Sequence, residues 1–303
     1  MIREINFKHS LIFFNLCIIF SAIEYLRNNS LIFICLFLIL TIGISHGALD
    51  NIKGKKLLKF FKIKSISIFY IVYIFISLFI ILIWFFFPKF LLVSFLIIAS
   101  YHFGKEDTDF IVDKKNLKVD LLYFLKGSLV IVAPLIFHKN ETIHIFNSLN
   151  FNISEVIMVG DKFLYFFLIA SLASSLYLVS KKKIDLKSLL IMDYLSVLML
   201  NYFLNPILAF TIYFCFLHSI RHIISISYEL DGSNFSNGAK IFVKKALPLT
   251  ILTALLYLLS VVYLSNSYGL NDVITQVIFI GLASLTFPHI LLEYLIEKNE
   301  KRT

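Results

Sequence analysis

Residues 216–225 read FLHSIRHIIS and place His218, Arg221 and His222 inside a stretch that is otherwise hydrocarbon. Polar groups are costly to bury in a bilayer, and those that persist there mark substrate, ion or proton sites. His218 and His222 are four residues apart, so on a helix both imidazoles lie on one face and both reach a single metal ion. Imidazole suits iron, zinc and copper. Cys215 precedes His218 by three residues, but a lone cysteine there reads as a small buried hydrophobe rather than a ligand. An HxxxH pair is a weak motif by itself, so the weight falls on polar residues that reach the same depth from elsewhere.

Of eight histidines, His46, His102, His218, His222 and His289 lie in or at the ends of apolar spans. His9, His138 and His144 fall in terminal or loop segments and carry no special reading. SHGALD gives His46 a neighbouring Gly47, with Asp50 one helical turn on; YHFGKEDTD follows His102 with Gly104, Glu106, Asp107 and Asp109. Glycine beside a ligand permits close approach of another backbone or a substrate. A carboxylate near a ligating imidazole accepts its other ring N–H and orients it. Asp50 and Asp107 are read in that role, and Asp109 as a solvated loop residue. Arg221 is expected to pair with a buried carboxylate, with Asp50, Asp107 and Glu293 as the choices. In FPHILLEYL, Pro288 is expected to bend the last span and aim His289 and Glu293 into the bundle, as extra ligands or as outer supports.

The elements that must position these residues are membrane spans. The 303-residue chain is 59% hydrophobic and has 33 phenylalanines, well above the roughly 45–50% apolar content of soluble domains. Apolar runs of bilayer length (about 20 residues) recur at 11–26, 31–49, 66–87, 89–103, 119–137, 161–180, 188–204, 206–228, 246–265 and 273–296. The expected fold is all-α: one integral membrane domain over 1–303, a polytopic bundle of about ten spans, eight to ten. The first, fourth and seventh spans are short. No cleavage site for a signal peptide follows 11–26. Residues 138–160 read as the longest outer loop, and ELDGSNFSNGAK at 229–240 as an inner turn.

The net charge of +9 follows topology rather than a nucleic-acid surface. Alternate loops hold 22 Lys and Arg against four in the opposite loops, with Lys126 and Arg221 inside spans. That asymmetry puts both termini in the cytoplasm, in a multi-pass protein of the cell (inner) membrane. Cys17, Cys35 and Cys215 all lie in spans without paired spacing, which excludes a disulfide framework. The same topology runs the four histidine-bearing spans in one direction and brings all five histidines to one inner slab. His46, His102, His218 and His222 are the expected metal ligands and catalytic centre. Four neutral imidazoles fit a non-haem Fe(II) centre with positions open to O2, whereas zinc would be closed by four nitrogens. The apolar, aromatic surroundings favour a long hydrophobic substrate delivered from the lipid bilayer.

HGALD at 46–50, HFGKED at 102–107, YFCFLHSIRH at 213–222 and FIGLASLTFPH at 279–289 together resemble the Brp/Blh family of bacterial and archaeal membrane carotenoid oxygenases. The match runs from about residue 35 to 295. The resemblance implies Fe(2+), O2 and β-carotene, cut at its central double bond to two retinals, with the iron-holding role falling on His46, His102, His218 and His222. It also implies a consumer for the product, such as a retinal-binding rhodopsin. The activated oxygen would attack a polyene lying in a Phe/Tyr-lined tunnel, where ring faces favour positive charge. Three other readings stand against this one. A membrane di-iron desaturase or hydroxylase needs more histidine boxes than one HxxxH. A histidine-lined metal-ion transporter needs polar residues through the full depth. A rhodopsin needs a lysine at the centre of its last spans.

Overall fold

The computed structural model describes residues 1–29, 31–112, 116–150, 160–180 and 182–300. In chain order the helices are α1 (Ile2–Ala22), α2 (Glu24–Asn28), α3 (Ile32–Leu38), α4 (Asp50–Phe60), α5 (Ile66–Phe86), α6 (Pro88–Glu106), α7 (Leu117–Gly127) and α8 (Leu129–Phe137). Then follow α9 (Lys139–Ser148), α10 (Asp161–Val179), α11 (Ile184–Phe203), α12 (Pro206–Ile212), α13 (Ile220–Leu230), α14 (Phe235–Leu264) and α15 (Leu270–Glu300). No strand occurs among the described residues. The all-α polytopic bundle read from the sequence is what forms.

Nine described segments are long and apolar enough to cross a membrane. The tenth expected span, 89–103, is the 19-residue α6, whose last turns are the polar sequence YHFGKE. Pro88 starts α6 at a position where its missing N–H costs nothing. Burial separates the helices by role. The segment Pro206–Leu230, which carries FLHSIRH, is 78% buried, against 6% for Ile66–Phe86 and 17% for Phe235–Leu264. The histidine-bearing segment is therefore the central strut, while α5 and α14 turn Phe75, Leu78, Phe85 and Leu259 outward as a lipid-facing surface.

The two segments that deliver His46 and His218 are not plain helices. α3 passes into a π-helical turn at Ile39–Gly43 and then a 3₁₀ stretch at Ile44–Leu49. α12 passes into a π-helix at Tyr213–Ser219 before α13. Such bulges re-aim the side chains that follow them and recur at functional sites. The two meet face to face: a Cβ on Gly43 would come within 2.9 Å of the Phe214 ring. Elsewhere α6 and α7 approach through reciprocal glycines. A Cβ on Gly104 would lie 1.8 Å from the Tyr123 carbonyl oxygen, and one on Gly127 1.8 Å from that of Ser100. The glycine after His102 thus admits a second backbone.

Several expectations need correction. α1 begins at Ile2, not near residue 11, because Asn6, Ser10 and Phe13 form a buried face that packs its helix on α11. His9 is consequently a helical residue whose Nε2 lies 2.7 Å from the Phe216 carbonyl, inside the π-helix. The outer loop expected over 138–160 opens with helix α9, and its residues 151–159 lie outside the described residues. Lys114, Lys115, Lys181, Lys301 and Arg302 of the charge pattern lie outside them too. The inner turn expected over 229–240 is confined to 231–234, because α13 runs to Leu230 and α14 starts at Phe235. Asp231 Oδ1 accepts from the Ser233 and Asn234 backbone N–H groups, and Asn234 caps α14.

Candidate metal centre

Five imidazoles converge from four directions: His46 from the 3₁₀ stretch, His102 from α6, His218 and His222 from the π-helix and α13, and His289 from α15. His46 lies 5.6, 5.5 and 5.6 Å, ring centre to ring centre, from His218, His222 and His289. His102 lies 5.0 Å from His218 and 5.2 Å from His289. Ligand atoms of His46, His102 and His289 fall within 4.8 Å of one another, as do those of His222, His289 and Glu293. The two sets share His289, so they are faces of one centre. All of these rings except that of half-buried His46 are buried.

Four of the five rings are held through Nδ1. His218 Nδ1 meets Asp107 Oδ1 at 3.2 Å, His289 Nδ1 meets Asp50 Oδ2 at 2.8 Å, and His222 Nδ1 pairs with Glu106. His46 Nδ1 contacts the Gly43 carbonyl, a group the π turn leaves pointing at it. Carboxylates and carbonyls only accept, so Nδ1 carries the proton in these four rings and Nε2 keeps its lone pair. The Nε2 atoms of His218, His222 and His289 are buried with no hydrogen-bond partner. An unsatisfied buried polar atom costs about 1–3 kcal/mol. Lone pairs buried this way find no relief from each other, and a cation satisfies those that converge; His222 and His289 share one set of ligand atoms, while His218, an expected ligand, falls in neither set. The donor set therefore fits a metal.

Arg221 is not a ligand neighbour but part of a buried charge cluster beside the centre. Its guanidinium grips Asp193 through two contacts of 2.8 and 3.3 Å, donates to the Asp107 carbonyl at 2.9 Å and to Ser10 Oγ at 2.6 Å. The expected partners Asp50, Asp107 and Glu293 give way to Asp193, on a helix whose sequence IMDYLS hid an acid in an apolar run. Two expected pairings also change. Asp50 orients His289 rather than His46, and Asp107 orients His218 rather than His102. A carboxylate one turn beyond its own histidine reaches across the bundle to the next helix. Asp109, expected in a solvated loop, accepts from Tyr123 Oη at 3.0 Å. Glu293 lies 3.8 Å from His289 Nε2 and takes a 2.7 Å contact from Lys53. α15 runs unbroken through Pro288, and Tyr73 Oη donates to Asp50 at 2.9 Å beside it.

Asp193 and Lys53 are the residues sequence reasoning passed over, and Glu106 was named there without a role. Glu106 was legible as one of three acids after His102, and Asp193 as an ionisable group at membrane depth. Aromatic rings pack against the histidines, Phe210, Phe214 and Phe279 from the N-terminal side of His218 and His289 and Phe103 from the residue after His102. Phe103 lies 4.9 Å from His218, Phe214 stacks on His218 at 5.6 Å, and Phe210 contacts Phe214 and Phe279 at 5.5 and 5.3 Å.

Helices of bilayer length around a cage of five imidazoles, four of them braced by an acceptor, define an integral membrane protein with a polyhistidine centre. The sequence comparisons narrow this. Residues 37–297 match the family profile described as β-carotene 15,15'-dioxygenase, and the chain belongs to that family of oxidoreductases. The β-carotene 15,15'-dioxygenase of uncultured marine bacterium 66A03 is 28% identical over 269 residues, covering 88% of this chain and 94% of that protein. No solved structure matches significantly.

Proposed function

We propose that the protein cleaves the central double bond of β-carotene with O2 at an Fe(II) centre and releases two molecules of all-trans-retinal. The observation that carries the metal is the set of orphaned Nε2 lone pairs on His218, His222 and His289, in tautomers fixed by Asp107, Glu106 and Asp50. His46, His102, His218 and His222 hold the iron, and His289 joins them from the same cage. Iron supplies the one-electron chemistry that spin-paired carbon needs to react with dioxygen, which no side chain here provides.

The rest is the work of the chain. Asp107, Glu106, Asp50 and the Gly43 carbonyl keep the ring protons on Nδ1, so the imidazoles bind as neutral ligands. The carboxylates beyond them offset the charge of a dication in a low-dielectric interior. Phe103, Phe210, Phe214 and Phe279 form the wall along which the polyene lies. Their ring faces favour positive charge developing on the cleaved carbons and exclude water from them. β-Carotene enters from the bilayer of the cell membrane, with both protein termini in the cytoplasm and the centre toward that side. The retinal product is suited to a retinal-binding rhodopsin.

Expression in a bacterium that accumulates β-carotene tests the activity. Cells lose their orange colour and accumulate retinal; unchanged carotenoid, with folded iron-containing protein verified, contradicts it.

A further inference from the structure

The same four helical segments that deliver the histidines continue past them and enclose a cleft of about 380 Å³. Its walls are the turns C-terminal to the ligands: Lys53 and Lys56 on α4, Lys105 and Glu106 on α6, His222 and Glu229 on α13, and Glu293, Glu297 and Glu300 on α15. Of the aromatic wall, Phe210, Phe214 and Phe279 lie N-terminal to His218 and His289 on these segments, and Phe103, directly after His102, lies at the level of the cage. Since the segments run in parallel, the cleft and those three N-terminal rings lie on opposite sides of the cage.

Three features give the cleft a direction. Exposure rises along α15, from 9% for the Glu293 side chain to 29% for Glu297 and 44% for Glu300. The lining carries six carboxylates against three lysines, an acidic inlet in a protein of net charge +9. α6, α13 and α15 end at this side, and helix C-termini carry the negative end of the dipole. At its inner end the cleft reaches His222, 2% exposed, whose Nε2 has no partner.

We propose that this cleft is the loading route by which a divalent metal ion reaches the cage from water, independently of the apolar side that takes the carotenoid. It rests on the metal centre proposed above. A focused negative potential raises the local concentration and arrival rate of a cation. Carboxylate oxygens bind a hydrated divalent ion weakly and transiently, whereas clustered imidazoles bind it more tightly, so the donor series runs downhill from Glu229 to His222. Lys53, Lys56 and Lys105 meet Glu293, Glu300 and Glu297 at 2.7, 2.5 and 2.7 Å. They hold α15 against α4 and α6 and moderate the trap, so the ion passes inward.

The test measures loading rather than turnover. Detergent-solubilised protein stripped with a chelator is mixed with Co2+, and uptake is followed by the visible absorption of nitrogen-bound cobalt and by metal content after desalting. Glu229→Lys, at an exposed position, slows uptake roughly three- to tenfold at low ionic strength, and Glu229→Gln slows it less. The difference closes in high salt, and occupancy at long times equals that of the wild type. Lys139→Glu, in α9 and remote from the cleft, loads at the wild-type rate. Wild-type loading by Glu229→Lys, or an equal change in Lys139→Glu, overturns the route. Wild-type protein that takes up no Co2+ overturns the metal centre itself and the route with it.

Discussion

Asp107 receives four contacts from four different side chains. Tyr213 Oη donates to Oδ2 at 2.8 Å, His218 Nδ1 meets Oδ1 at 3.2 Å, Lys126 Nζ lies 3.7 Å away, and Arg221 takes the backbone carbonyl at 2.9 Å. Its charge holds the His218 tautomer, so Asp107→Asn keeps the volume and removes that hold. The expected loss is about 10–100-fold in metal affinity or in retinal formation. It is measured by metal titration beside an activity assay on protein that still folds, and unchanged values would leave Asp107 a packing residue. At this scale the sequence was informative where chemistry is expensive: imidazoles at membrane depth stand out against Phe and Ile. It was uninformative about pairing. Asp50 and Asp107 were identifiable as acids near histidines, yet both serve a histidine on another helix, which depends on how helices rotate about their axes.

Helix α6 buries Leu91, Leu92, Phe95 and Phe103 in the core, and glycine sets its approach to α7. Gly104 and Gly127 let the backbones of α6 and α7 cross with no room for a methyl group, and this crossing fixes the height of His102. Gly104→Ala forces the helices apart, and overpacking of this kind costs about 1–3 kcal/mol or more. A lowered Tm in detergent together with reduced metal occupancy is the expected outcome. Gly160→Ala, where nothing lies within 4 Å, leaves both unchanged, and equal behaviour of the two variants would refute the close-crossing role. Span positions were legible because about 20 apolar residues have few alternatives in a bilayer. The π turns at Ile39–Gly43 and Tyr213–Ser219 were not. They change hydrogen bonding by one residue while leaving composition and hydropathy alone. The start of α1 escaped for a related reason: Asn6, Lys8 and His9 are polar in sequence, and only the packing of α1 against α11 and α13 makes them helical.

Across the whole molecule, polar chemistry occupies one level of the bundle and apolar surface the rest. Asp107, Asp193, Lys126 and Arg221 balance charge beside the imidazoles, and breaking such a buried set is far costlier than forming it is favourable. Aromatic rings lie on one side of them and the acidic cleft on the other, the two approaches that the proposed route assigns to substrate and metal. The convergence of His46, His102, His218, His222 and His289 was legible because parallel spans carry equal depths. The division into an oily and a charged approach needed three-dimensional packing. The most direct measurement is iron content together with retinal formation, on wild-type protein and on His218→Ala and His222→Ala purified side by side. Iron bound and retinal formed by the wild type, with both lost in each variant, is the expected result. Variants that retain iron and turn over β-carotene normally would contradict an imidazole-held iron centre.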